Sequence, residues 1–298
     1  MRRIHAFTKI VRAAALLAVI GLLPVRLFAA APLDMKAIET AAGFSGKTMP
    51  GGVYRVSIPR SDLHVSVDKV PLKTALALGG YAVYESTPNG TLVMGDIPLL
   101  ESEVGPVEER LTTAGFDITA LHNHLLRERP HIMYMHFMKI GDAVEMSRQL
   151  HSALVATGIS FSHPPASPST TFEYAAQIDG ALKIKGTAHD GIYSASIARP
   201  EKDSVHGIVL QPAMGVATGI NFQTADEGKL ATTGDFVLTA DQVNSVRSAL
   251  VSHGIEVTAL HQHLVGGDPT LYFMHFWAAA SPQSILAGLR AALDIIRP

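Results

Sequence analysis

The sequence predicts an α+β fold: two tandem copies of one β-β-β-β-α-β-β-α unit, packed as a pseudo-two-fold pair. Three observations point there. Segments recur at a fixed offset of 139 residues, period-two hydrophobic alternation gives way to helix-start signals twice per copy, and a Pro/Ser-rich stretch divides the copies. Gly52-Val53-Tyr54 returns as Gly191-Ile192-Tyr193, Gly95-Asp96 as Gly234-Asp235, and Met135-His136-Phe137 as Met274-His275-Phe276. Arg60 and Gly80 align with Arg199 and Gly219 at the same offset. Between Gly115–Phe137 and Gly254–Phe276, 11 of 23 positions are identical, which excludes coincidence. A period this long marks a domain-sized unit rather than a solenoid repeat.

The elements follow in order. Val53–Ile58 and Leu63–Val67 alternate like strands around the turn Pro59-Arg60-Ser61-Asp62. Two more strands are expected at Lys73–Glu85, interrupted at Gly79-Gly80, and at Thr91–Met94. The next helix is announced by Thr239-Ala240-Asp241-Gln242, which has the form of a capping box, and Gly254 stands where a C′ glycine belongs. Glu103 and Gly115 hold these places in the first copy. Strands at Phe116–Leu126 and Ile132–Ile140 come next, joined across Arg127–Pro130. The last helix starts from Asp142, matched by Ser281-Pro282.

These signals divide the chain into a leader (1–31), a first copy (32–157), a linker (158–171) and a second copy (172–298). The leader has a basic start (Arg2, Arg3, Lys9, Arg12), an apolar run from Ala13 to Leu23 and the small residues Ala29–Ala31. That order reads as a secretory signal peptide, too short in its apolar part to span a bilayer. Its removal takes away five Arg/Lys and no carboxylate, which moves the formal charge from −2 to −7. A chain so acidic, without a basic cluster, is not expected to bind nucleic acid. There is no cysteine, hence no disulfide, thiolate metal site or lipid-anchoring Cys. The expected location is periplasmic or secreted, with no stable membrane anchor after signal cleavage.

Of fourteen histidines, three per copy are matched: His122, His124 and His136, then His261, His263 and His275. Residues two apart on a strand share a face, so His122 and His124 point together if Phe116–Leu126 is a strand. Register decides the third. A three- or five-residue hairpin loop sets His136 directly opposite His122, whereas a four-residue loop turns it to the other face. In the second copy Gly267-Asp268-Pro269 is the candidate three-residue connection. Converging neutral imidazoles suit a divalent transition metal, zinc foremost, and three ligands with an open position is the pattern of a catalytic zinc. The same histidines could instead be structural, bonded to backbone on a half-buried sheet. Asp96/Asp235 and Asp62/Glu201 are the matched acidic positions, and turn chemistry is the expected role of each. Arg60 and Arg199 could hold an anion, but each follows a strand end, where an exposed arginine is ordinary.

The segments GGVYRVSIPRSDL (51–63), VMGDIPL (93–99), TALHNHLL (119–126) and YMHF (134–137), with their second-copy echoes GIY, TTGDFVL, TALHQHL and FMHF, resemble the DUF1259 family, which includes the LppY/LpqO-type lipoproteins. The resemblance covers nearly the whole mature chain. It implies a two-copy exported protein and supplies no reaction. The missing cysteine departs from the lipoprotein members, and Gln262 stands where the first copy has Asn123. The expected function is binding of a transition metal or small ligand through the two triads. A metal-dependent hydrolase or lyase is the alternative, and a non-catalytic envelope interaction protein with structural histidines the second.

Overall fold

A computed structural model of the protein describes residues 32–161 and 171–297. The expected leader and residues 162–170 of the expected linker lie outside the described residues. Among the described residues no helix is long and apolar enough to cross a membrane.

Each copy builds one six-stranded antiparallel sheet. The first runs, in spatial order, Gly46–Thr48, Tyr54–Pro59, Gly79–Thr87, Gly90–Leu100, Ile132–Gly141 and Asp117–His122. The second repeats it with Thr187–His189, Ile192–Ala198, Ala217–Thr224, Leu230–Leu238, Tyr272–Ala280 and Glu256–His261. Helices Glu101–Thr113 and Ala143–Leu154, and their counterparts Ala240–Ser252 and Pro282–Ile296, cover one face of each sheet.

Alternation along the central strands shows how the halves meet. In Ile132–Gly141, Met135 and Phe137 join the helix-side core, while Tyr134 and Met138 join clusters that contain residues of both copies. Phe273 and Trp277 do the same from the second copy, with Met274 and Phe276 facing its helices. The molecule is therefore four layers, helix–sheet–sheet–helix. Its central strands are buried on both faces, which is why VMGDIPL and YFMHFW read as nearly unbroken apolar runs.

The helix signals act as expected. Gln242 Oε1 accepts the Thr239 N–H (3.0 Å) and Glu103 Oε2 the Leu100 N–H (2.9 Å), the reciprocal half of a capping box. Gly115 and Gly254 take φ of +78° and +75°, and the Phe116 and Ile255 amides close back on Leu111 and Leu250. Asp142 and Ser281 are N-caps whose side chains accept from Glu145 and Ser284.

Several element boundaries differ from expectation. Each copy opens with an additional short helix, Met35–Ala42 or Ala175–Leu182. The first is capped by Asp34 and ended by Gly43 at φ +80°. Of Leu63–Val67 only Ser66–Val67 pairs. It belongs to a separate small sheet with Val70–Pro71 and Glu128–Arg129. Within Lys73–Glu85, Thr74–Ala77 is one helical turn and the strand begins at Gly79. Residues 60–78 form an arm laid across the other copy, bound by Asn221 Nδ2 to the Leu76 carbonyl (3.0 Å) and by Gln223 Nε2 to the Pro71 carbonyl (2.8 Å). Leucines that look strand-like are thus buried by the partner half, a contact that local periodicity cannot encode.

One repeat match also moves. Tyr81 lies opposite Asp96 and Gly219 opposite Asp235, so Gly219 occupies the place of Tyr81 rather than of Gly80. The one-residue shift is undone in the next turn, where four residues separate Ser86 from Thr91 and five separate Thr224 from Leu230.

Candidate metal centre

The inner faces carry the histidines. His136 and His275 sit mid-strand on the face turned to the other copy, and His122 and His261 end their own strands. The strand expected over Phe116–Leu126 stops at His122, so His124 and His263 are loop residues. Hairpin register also corrects expectation. His136 pairs with Ala120 and His122 with Tyr134, and a bulge follows between Ile118 and Ala120. Parity is nevertheless even, so His122 and His136 do share a face, one diagonal step apart. The connection is not a three-residue loop in the second copy. Gly267–Asp268 is a strand paired with Ser204–Val205.

The two expected triads are not separate. His122 stacks on His261 with ring centroids 3.5 Å apart, His136 on His263 at 3.7 Å, and His124 on His275 at 3.9 Å. Under the 139-residue offset the first pair exchanges its own members, and the other two pairs exchange with each other. The pseudo-two-fold axis therefore passes between His122 and His261, and all six imidazoles form one cluster. Face-to-face packing is the cause. Each loop histidine is carried over to the opposite copy, where Thr258 Oγ1 donates to the His124 carbonyl. Ligating atoms of His122, His124 and His136 lie within 4.8 Å of one another, and so do those of His122, His261, His263 and His275.

All six Nε2 atoms are buried and make no hydrogen bond. Two tautomers can be read from their partners. His122 Nδ1 contacts the Asn123 carbonyl and His275 Nδ1 the Gly234 carbonyl, each at 3.1 Å. Only a donor satisfies a carbonyl there, so each Nε2 presents a lone pair. Burial depresses every ring's basicity: His122 falls to about 4 and His261 to about 3, and the other four drop well below the usual histidine range. Rings that cannot easily protonate, two of them with a lone pair fixed on a buried Nε2, are in the form in which imidazole binds a metal. Six unsatisfied buried nitrogens would otherwise cost several kcal/mol (about 1–3 each).

Two carboxylates share the site. Asp96 and Asp235 were expected in turns. They lie instead in mid-strand, directly opposite His136 and His275. Asp96 is 8% exposed, and burial pushes its carboxyl up to about 8. Asp235 is raised well above the usual range for the same reason. The preceding glycine is required by close approach. A Cβ on Gly95 would lie 2.3 Å from the Tyr81 carbonyl, and one on Gly234 2.0 Å from that of Gly219. The signal available in the sequence was a matched Gly-Asp inside an apolar strand, a costly place for a charge. Next to Asp96 the Arg55 guanidinium lies 3.6 Å over the Tyr81 ring. A cavity of about 10 Å³, room for about one water, opens beside His136 and His263.

Arg60 and Arg199 are not anion sites. Arg60 is fully buried against Asp62 and Glu103, and Arg199 pairs with Glu201 and Asp203.

These shifts predict how the metal-free protein responds to pH. The unfolded chain takes up protons on the six histidines near pH 6.5 while the folded one does not, so stability falls as pH drops from about 6.5 toward 4. For His122 alone the full loss is about 3 kcal/mol. Asp96 and the buried Glu128, both pushed up to about 8, work in the other direction, holding protons that the unfolded chain releases. Their contribution fades as pH rises toward 8. Urea unfolding of chelator-treated protein should show maximal stability near pH 6.5. Stability that climbs steadily down to pH 4.5 would refute the neutral cluster.

A family model described as Domain of Unknown Function (DUF1259) matches residues 36–156 and 176–295. The chain belongs to the DUF1259 family. The two matched regions of this DUF1259 protein coincide with its two structural copies. No curated protein matches the chain. Among solved structures it is similar to EtuB from Clostridium kluyveri, at 9% identity over 85% of this chain and 90% of that one, with a TM-score of 0.21. A trimeric bacterial microcompartment shell protein, PduB, gives 10% identity over 86% and 91%, with a TM-score of 0.22. A protein from Galdieria sulphuraria gives 13% over 68% and 90%, with a TM-score of 0.19. At such TM-scores these likenesses have no weight for fold or function.

Proposed function

We propose that this DUF1259 protein is an exported transition-metal-binding protein whose one composite centre lies between its two copies. The observation that carries the reading is the convergence of six buried Nε2 atoms with no hydrogen-bond partner. Two carbonyl contacts orient the rings toward this use, and apolar clusters shared by both copies wall the site. Nitrogen donors without thiolates favour zinc among the common divalent ions, with copper, nickel and iron(II) chemically compatible. The cavity beside His136 and His263 favours a water-sized exogenous ligand over an organic substrate, so binding or storage of the ion ranks above hydrolysis of a bulky molecule. Export rests on the leader read from residues 1–31.

One experiment examines both parts. Untagged protein recovered from the periplasmic or secreted fraction should lack the leader by intact mass and contain at least one transition-metal ion per chain by elemental analysis. Metal-free protein in that fraction, unable to take up zinc on titration, would overturn the binding role. An intact Met1 would overturn export.

A further inference from the structure

Asp96 and Asp235 have no assigned role in the histidine cluster. Each is directly across from a cluster histidine on the neighbouring strand, and cross-strand partners point to the same face. Each has a buried Oδ1 that accepts no hydrogen bond. Across the strand pair His136 Nε2 lies 3.7 Å from Asp96 Oδ1. That is too long for a hydrogen bond, and neither atom has another partner. It is the separation expected of two ligands on one ion. Donors about 2.0–2.1 Å from a metal stand about 3–4 Å from each other.

Resting on the metal-binding reading, we propose that Asp96 and Asp235 are themselves metal ligands, and that the centre is a histidine–carboxylate site for two ions per chain. Six imidazoles and two carboxylates make eight donors, twice what one tetrahedral ion takes. Converging ring nitrogens divide them into two ends. Asp96 lies across from His136 in the set His122, His124 and His136, and Asp235 across from His275 in the set His122, His261, His263 and His275, so His122 is shared. The carboxylates also address charge. Neutral imidazoles leave two dications in an apolar interior uncompensated, and each aspartate supplies one negative charge at its own end, that of Asp96 shared with the neighbouring Arg55 guanidinium. A carboxylate oxygen at each end widens the range of acceptable ions toward iron(II) and manganese(II), which purely nitrogenous sites accept less well.

The test compares full-length mature wild type with Asp96→Asn/Asp235→Asn, which keeps side-chain shape, and with His122→Ala/His261→Ala. Zinc stoichiometry and affinity are measured by titration, and cobalt(II) is added as a spectroscopic probe. Wild type should bind two zinc ions. The aspartate pair should lose at least one ion or at least tenfold in affinity, with a changed cobalt visible spectrum, while its unfolding midpoint without metal is maintained or raised. Wild type binding two ions with the aspartate variant unchanged in stoichiometry, affinity and spectrum would overturn the carboxylate assignment and leave the histidine site standing. So would a lower affinity with stoichiometry and cobalt spectrum intact, because that is the result of a group acting from outside the coordination shell. Wild type taking up no metal at all overturns the histidine reading, and the carboxylate assignment with it.

Discussion

Replacing His122 and His261 together with alanine is expected to abolish high-affinity metal binding. These two rings stack on the pseudo-two-fold axis, and His122 belongs to both sets of converging ring nitrogens while His261 belongs to one. A structural zinc site is worth about 10–16 kcal/mol over four ligands, so each ligand contributes about 3 kcal/mol, or about a hundredfold in affinity. Losing both should move a nanomolar site beyond the micromolar range. Any metal-dependent rise in the unfolding midpoint should vanish with it, since that rise is binding energy seen through mass action. The unmatched His151 and His253 lie away from the cluster, bonded to the Ala42 and Ala249 carbonyls, and their replacement should leave metal affinity unaltered. If the double variant binds zinc as tightly as wild type, the axis histidines are structural.

Arg60→Met is expected to destabilise the protein by about 3–5 kcal/mol, the cost of stripping a buried ion network of its cation. All five N–H donors of Arg60 are used. Nε and Nη2 hold Asp62 at 3.0 and 2.9 Å, Nη1 and Nη2 hold Glu103 at 2.7 and 3.1 Å, and Nη1 also reaches the Pro98 carbonyl at 2.7 Å. Glu103 in turn accepts the Leu100 and Gly158 amides, so the network joins the arm's base, the start of helix Glu101–Thr113 and the end of the copy. Neutralising the stranded carboxylates in the same background, as Asp62→Asn/Glu103→Gln, should recover part of the loss. Arg199→Met should cost less, because Glu201 is largely exposed and the Val237 carbonyl contact is long at 3.4 Å. Urea unfolding gives each value. A loss below about 1 kcal/mol for Arg60→Met would show that the network contributes little.

The repeat, the helix termini and the identity of the histidines are legible in the chain because each depends on local chemistry or on residue matching alone. Gly115 and Gly254 end helices since the position needs φ > 0, and Asp142 and Ser281 start them since the first amides need acceptors. The parity that puts His136 on the face of His122 is one of two outcomes that spacing allows, and only the strand register decides it. Other features depend on where the second sheet lies. Asp96 reads as a turn residue until Gly90–Leu100 is seen as a doubly buried strand, and Arg60 reads as exposed until the helix brings Glu103 beneath it. Leu63–Val67 and the start of Lys73–Glu85 read as strands until the arm is laid on the other copy. The single centre, too, is decided only by packing. A sequence can show that three histidines share a face, but the joining of two triads depends on the axis relating the sheets. That axis is set by long-range burial of apolar faces, a non-directional force that leaves no periodic mark on either segment.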